Sequence, residues 1–293
     1  MDTLKSLKIK EWRLVMMKKR NVMILFSATV ALTLAACGSK EQSSSTSSTS
    51  GTTKYASEVT HDGTPIKGGT LKYAIVSSSP FSGIFADELS SDTNDSSIGG
   101  LIDESMFDYD ENRKLTNTGL ASIEFDVENK TATVTLNSKD YKWSDGQPVT
   151  IDDYIFAYQA IGNKDYTGVR YDDDYKNVVG MEEYHDGKAD SVSGLEKVDD
   201  YTVKIHFKEM SPSMQLAGGS VCAYIMPKHI FKDIPEAEWE KSDYVRGTKF
   251  VGLGQFKIES IVAGESVTLV PNEHYFRGVA KVDKVVMEVV STD

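Results

Sequence analysis

The apolar pattern of this sequence predicts an α/β or α+β protein carried behind an export leader. Short runs with period-2 alternation, such as Thr131–Leu136, are interspersed with helical spacing, such as Ile151 to Ile161, and that mixture sets the class. The leader is read from Lys18-Lys19-Arg20, an apolar run from Val22 to Leu34, and the small residues Ala35-Ala36 before Cys37. The apolar run is too short to span a bilayer comfortably, so residues 1 to 36 are expected to be a signal peptide and the remainder to leave the cytoplasm. The mixed stretch Met1 to Val15 leaves Met1, Met16 and Met17 as alternative starts.

Leu34-Ala35-Ala36-Cys37 resembles the bacterial lipobox, which implies that Cys37 is acylated, with palmitate among its lipids, and becomes the first residue of the mature chain. The rival reading is a plain apolar anchor with an incidental thiol. From Ser43 to Thr53 ten of eleven residues are Ser or Thr, too polar to offset their ordering entropy, so residues 37 to 67 read as a tether on the extracytoplasmic face of the cell membrane. Gly68-Gly69 marks the start of the folded part.

Residues 1 to 36 hold seven basic and two acidic side chains, so the 257 residues that follow carry most of the acid: a formal −17, against −12 for the whole chain. Such a surface repels nucleic acid and anionic headgroups, so no nucleic-acid partner is expected and membrane contact falls to the acyl chains. Cys222 is then the one remaining cysteine. It lies in the apolar stretch Val221 to Met226 and reads as a buried, inert thiol with no disulfide partner.

In chain order, Thr70 to Val76 reads as a first strand, followed by the loop Ser77-Ser78-Ser79-Pro80. Thr131 to Leu136 puts Ala132, Val134 and Leu136 on one face. Asp145-Gly146 turns the chain after Trp143, and Pro148 limits any strand there. Thr150 caps a helix whose apolar face is Ile151, Tyr154, Ile155, Tyr158 and Ile161, with Asp152 and Asp153 at its positive end and Gly162 at its close. Tyr201 to Lys208 alternates as a strand with His206 on the polar face, Ile234 to Trp239 reads as a weaker helix, and strands follow around residues 256–258, 267–270 and 285–290.

The chemistry-bearing signatures are missing: there is no GxSxG, HExxH, CxxC or GxxxxGK[ST]. The five histidines lack zinc-ligand spacing, and Asp172-Asp173-Asp174 lacks the alternation and glycine of a calcium loop, so it reads as a solvated acidic turn. Tyr166, Tyr171, Tyr175 and Tyr184 read as core aromatics, with a ligand rim as the alternative. No enzyme activity, cofactor or metal is expected.

Three segments carry a family resemblance. Ala132 to Leu136 with Lys142-Trp143-Ser144-Asp145-Gly146-Gln147-Pro148-Val149-Thr150 and Asp152-Asp153-Tyr154 is similar to the signature region of the family 5 extracellular solute-binding proteins, the oligopeptide receptors of ABC importers. Gly252-Leu253-Gly254-Gln255-Phe256 resembles the family's GTGP(Y/F) turn, Pro271 to Phe276 its NPxYW element, and Gly68-Gly69-Thr70-Leu71 the start of its first strand. The resemblance implies a periplasmic-binding-protein-like type II fold: a first lobe from residues 68–92 and 221–293, an inserted α+β subdomain from 93–220, and the second lobe largely missing beyond Asp293. It also implies an oligopeptide ligand, ABC permease and ATPase subunits as partners, and cleft-lining backbone at Ser77, Ser78, Ser79, Phe81, Gly252, Leu253 and Gly254. The alternative is a truncated surface lipoprotein that transports nothing and acts as an adhesin or decoy, or has no function.

Overall fold

The computed structural model describes residues 63–64, 67–216 and 221–291; the leader, Cys37 and the Ser/Thr-rich run lie outside the described residues. The main elements are β1 (Thr70–Val76), α1 (Thr93–Ile102), β2 (Asp108–Tyr109), β3 (Leu115–Thr116), β4 (Ala121–Asp126) and β5 (Thr131–Leu136). They continue with α2 (Ile151–Gly162), β6 (Leu195–Asp199), β7 (Thr202–His206), β8 (Phe256–Val262), β9 (Ser266–Pro271) and β10 (Lys284–Val290). One-turn helices occupy Asp173–Lys176, Met181–His185, Lys228–Phe231 and Asp243–Arg246.

Two four-stranded sheets organise these elements. The first has the order β1-β10-β9-β8, with β1 parallel to β10 from Thr70 opposite Lys284 to Val76 opposite Val290, and the other pairs antiparallel. The second, β4-β5-β7-β6, is antiparallel throughout, and Val134 lies opposite both Ile123 and Val203. Its alternation falls as the sequence predicts: Ala132, Val134, Val203 and Ile205 are fully enclosed, while His206 faces outward and pairs with Glu196 at 2.9 Å. The named strand is shorter than the expected Tyr201 to Lys208: the Asp199 carboxylate takes the Tyr201 N–H in a turn, and Phe207 bonds the Lys130 carbonyl just before β5 and bridges to Val178.

Helix α2 begins at Thr150, whose N–H donates 2.9 Å to the Asp153 carboxylate three residues on. Asp153 also accepts from the Lys228 N–H at 3.0 Å, and with Trp143 wholly buried beside it the cap ties three distant segments together. The inner face of α2 presents Tyr154 and Tyr158 to the Cys222 segment. Tyr154 donates to the Cys222 carbonyl at 2.8 Å, the Cys222 N–H donates to the Tyr158 hydroxyl at 2.9 Å, and the Tyr175 hydroxyl meets Cys222 Sγ at 3.1 Å. Burial pushes the Cys222 thiol up to about 12, which fits the inert reading. Tyr175 is buried, and Tyr166, Tyr171 and Tyr184 pack partly buried on the core.

One expectation needs correction, and one helix was not read from the sequence. The helix read at Ile234 to Trp239 is a 3-10 helix over Glu236–Lys241, since Pro235 disfavours helical backbone at Ile234 and can only start a turn after itself. Helix α1 carries Ser, Asp and a Gly99-Gly100 pair that hide it by propensity; Asp92 caps it and Ile98 and Ile102 anchor it one turn apart.

The three family-like segments converge. The Ser144 N–H donates to the Gly252 carbonyl at 3.0 Å while the Gly252 N–H returns to Ser144 Oγ at 3.2 Å. One step on, the Gly254 N–H donates to the Ile102 carbonyl at 3.1 Å, and the Gly254 carbonyl accepts from Asn272 Nδ2 at 2.8 Å. Gly254 must be glycine there, because a Cβ would sit 2.4 Å from the Ile102 carbonyl carbon and 2.5 Å from the Asp103 nitrogen. Gly254→Ala is therefore expected to cost about 3 kcal/mol or more, read as a lower urea midpoint at unchanged slope. Tyr154→Phe, which leaves the Cys222 carbonyl without its buried donor, is expected to cost about 1–3 kcal/mol in the same assay, whereas Tyr73→Phe on exposed β1 changes stability by less than about 0.5 kcal/mol.

Candidate functional site

Helix α1 frames the site, and the two sequence-predicted loops grip its opposite ends. At the start, Asp92 accepts from the Asn94 and Asp95 N–H groups at 2.9 and 3.0 Å. Asn94 Nδ2 in turn reaches Ser77 Oγ at 3.1 Å and the Ser79 carbonyl at 3.0 Å, so these two serines hold the helix entry while Ser78 is exposed. Phe81 is buried and packs on Phe85 with ring centroids 5.9 Å apart. Asp95, itself buried, accepts from the Gly83 N–H at 2.8 Å and from Ser82, which fixes the following turn.

At the far end the Leu253 N–H donates 3.1 Å to Asp103 Oδ1, beside the Gly254 bond to Ile102. Gly252, Leu253 and Gly254 are all buried. The structure thus does not bring Ser77–Phe81 and Gly252–Gly254 into one pocket wall; it uses them as the two supports of α1.

Between those supports a cleft of about 410 Å³ opens, lined by Asp87, Glu88, Gly99, Asp103, Glu104 and Tyr224 among others. Gly99 lets the Phe85–Glu88 segment lie close, since a Cβ would come within 3.0 Å of the Phe85 carbonyl oxygen. That segment is clamped from behind: Arg170 donates to the Asp87 carbonyl at 2.8 and 3.0 Å and to the Ser90 carbonyl at 2.9 Å, and Tyr166 donates to the Glu88 carbonyl. Arg170 also lies over the Tyr224 ring, 5.3 Å from its centre.

The electrostatics of the cleft are one-sided. Burial raises Asp87 and lifts Glu88 to about 7, with the Asp87 charge adding to the effect on Glu88. Burial also holds Asp103 well above the ordinary carboxylate range, reinforced by the Glu88 charge. Glu104 is raised by burial, but Arg277, 3.3 Å away, opposes the shift. Burial thus pushes all four acids toward their uncharged forms. The sequence reading missed Glu88, Asp103 and Arg170. The only signal was the pair of acidic doublets, Asp87-Glu88 and Asp103-Glu104, that bracket α1.

Comparison with known proteins supplies the relationship. Residues 117–293 match the model of the bacterial extracellular solute-binding proteins, family 5 Middle. The oligopeptide-binding protein OppA of Lactococcus lactis subsp. lactis is 37% identical over 284 residues, 94% of this chain and 47% of OppA; AppA of Bacillus subtilis is 25% identical, covering 94% of this chain and 45% of AppA. The chain therefore spans about half the length of the curated relatives it matches. Among solved structures, lactococcal OppA complexed with an endogenous peptide in the closed conformation superposes with a TM-score of 0.72 at 38% identity, over 77% of this chain and 42% of that one. AppA in complex with a nonapeptide gives a TM-score of 0.62 at 27% identity, over 78% and 41%. These matches carry the periplasmic-binding-protein type II fold, and the chain belongs to family 5 of the bacterial extracellular solute-binding proteins.

Proposed function

We propose that this chain forms the first-lobe part of a lipid-anchored, extracytoplasmic receptor that binds oligopeptides and hands them to the permease and ATPase subunits of an ABC importer. The observation that carries the reading is the likeness to a peptide-loaded, closed lactococcal receptor at 38% identity. In the proposed division, residues 68–92 and 221–293 make the lobe around the first sheet, and 93–220 supply the inserted subdomain around the second. Ser77–Phe81 and Gly252–Gly254 are proposed to shape the ligand cleft through α1, whose two ends they hold. Main-chain recognition of an extended peptide leaves its side chains free to vary, which suits broad uptake. Anchoring is proposed through acyl chains on Cys37; among the described residues no helix is long and apolar enough to cross a membrane.

One observation favours the second reading, a surface lipoprotein that transports nothing. Leu71 and Tyr73, two apart on one face of β1, are 54% and 55% exposed, and Val76 on the other face is 66% exposed, unusual for a strand in a parallel pair, whose faces are normally covered. A protein with these apolar side chains bare would bind a hydrophobic dye and self-associate rather than hold a peptide.

Calorimetric titration of the full chain with mixed short peptides is expected to give saturable heat; none, together with strong dye binding, would favour the second reading. In growing bacteria, labelled palmitate is expected on the wild-type protein and not on Cys37→Ala, and unlabelled wild type would remove the anchor from the proposal.

A further inference from the structure

We propose that the outer edge of β1 is a pairing surface for a second copy of this chain, so that the β1-β10-β9-β8 sheets of two copies join antiparallel about a two-fold axis at Tyr73. The inference stands whichever reading of function above holds, because no residue that lines the cleft under α1 belongs to β1.

β1 stands at the end of its sheet and pairs with β10 alone, so its outer row of N–H and C=O groups has no strand partner among the described residues. Sheet edges are normally blunted by bulges, charges or short length, because a bare edge is a template for another chain. The opposite edge of the same sheet, β8, has a register shift between Ile258 and Ser260, and β6 has one between Lys197 and Asp199. The edge strand β4 carries Glu124 and Asp126. β1 is built otherwise: it keeps register with β10 from Thr70 to Val76, holds neither proline nor bulge, and six of its seven residues are exposed. Its single charge, on Lys72, lies 3.4 Å from Glu288.

The strand is its own complement. Antiparallel pairing centred on Tyr73 sets Thr70 against Val76, Leu71 against Ile75, Lys72 against Ala74 and Tyr73 against its own counterpart, with no two like charges opposite. Leu71 and Tyr73 lie in register with Val285 and Met287 and with them line an apolar groove of about 690 Å³, which the second copy's Tyr73 and Ile75 would extend across the axis. Charge fits on the other face. Ala74 is in register with Glu288, so Lys72 of one copy comes within two strand spacings, about 10 Å of backbone, of Glu288 in the second copy, a span the two side chains cover together. Each Lys72 then lies between two carboxylates. Edge pairing of one strand buries less than the roughly 1,200 Å² of a standard stable interface, so the dimer is expected at micromolar concentrations.

Sedimentation equilibrium of the full chain tests this, on wild type, Tyr73→Lys, Tyr73→Glu and an equimolar mixture of the two variants. Wild type is expected to pass from the mass of one chain toward that of two between about 1 and 100 µM. Each variant alone is expected to stay at one chain, since position 73 then meets its own counterpart with like charge, and the mixture is expected to regain the dimer. Hydrogen exchange on wild type is expected to slow in Thr70–Val76 as concentration rises, with β8 unchanged, and this decides the matter should either variant fail to fold. One-chain mass for wild type at about 100 µM, a dimer kept by either variant alone, or a mixture that stays at one chain would each overturn the pairing. Mixed short peptides that slow exchange in β1 while the mass stays at one chain would make a peptide strand the occupant and overturn it too.

Discussion

The structure depends on a hydrogen-bonded junction between three glycine- and asparagine-bearing segments and the end of one helix. Ser144 and Gly252 exchange bonds, Gly254 joins Ile102 to Asn272, and Leu253 reaches Asp103. Each of these bonds has a main-chain group of Gly252–Gly254 on one side, in a packed interior where an unmade bond is expensive and a misplaced methyl group cannot be absorbed. Asn272 is wholly buried and satisfied, which is how a polar residue can sit at such a junction. The junction sets where α1 ends, and α1 sets the width of the acidic cleft.

That cleft explains a feature of the charge distribution which net charge alone does not. An acidic protein normally spreads its carboxylates over water-facing surface, where they repel weakly. Here several are drawn together on one side of α1, and the nearby guanidinium of Arg170 is turned to backbone carbonyls. Arg170 thereby ties down the Asp87–Ser90 segment while its charge partly offsets Asp87 and Glu88.

Legibility in the sequence followed local pattern strength. β1, β5 and α2 could be read to the residue, since β-branched alternation and a capped 3.6-residue stripe each admit one backbone form. Helix α1 could not, because its serines, aspartates and paired glycines favour turns as readily as helix until Ile98 and Ile102 are buried by distant partners. The segment after Ile234 read as helical by apolar spacing, but Pro235 outweighed it. The family-like motifs were each visible, whereas their meeting at Gly252–Gly254 depends on contacts more than a hundred residues apart. The acidic cleft is of the same kind: Arg170 reaches the Asp87 carbonyl across 83 residues of sequence.

The central claim is that peptide is received along α1, between its two supports. Hydrogen–deuterium exchange on the full chain, with and without a saturating pool of short peptides, tests it most directly. The account predicts slower exchange confined to Ser77–Phe81, Gly99–Ser105, Ala223–Ile225 and Gly252–Gly254. Unchanged exchange in those segments, or protection confined to the exposed face of β1 and β10, would contradict it.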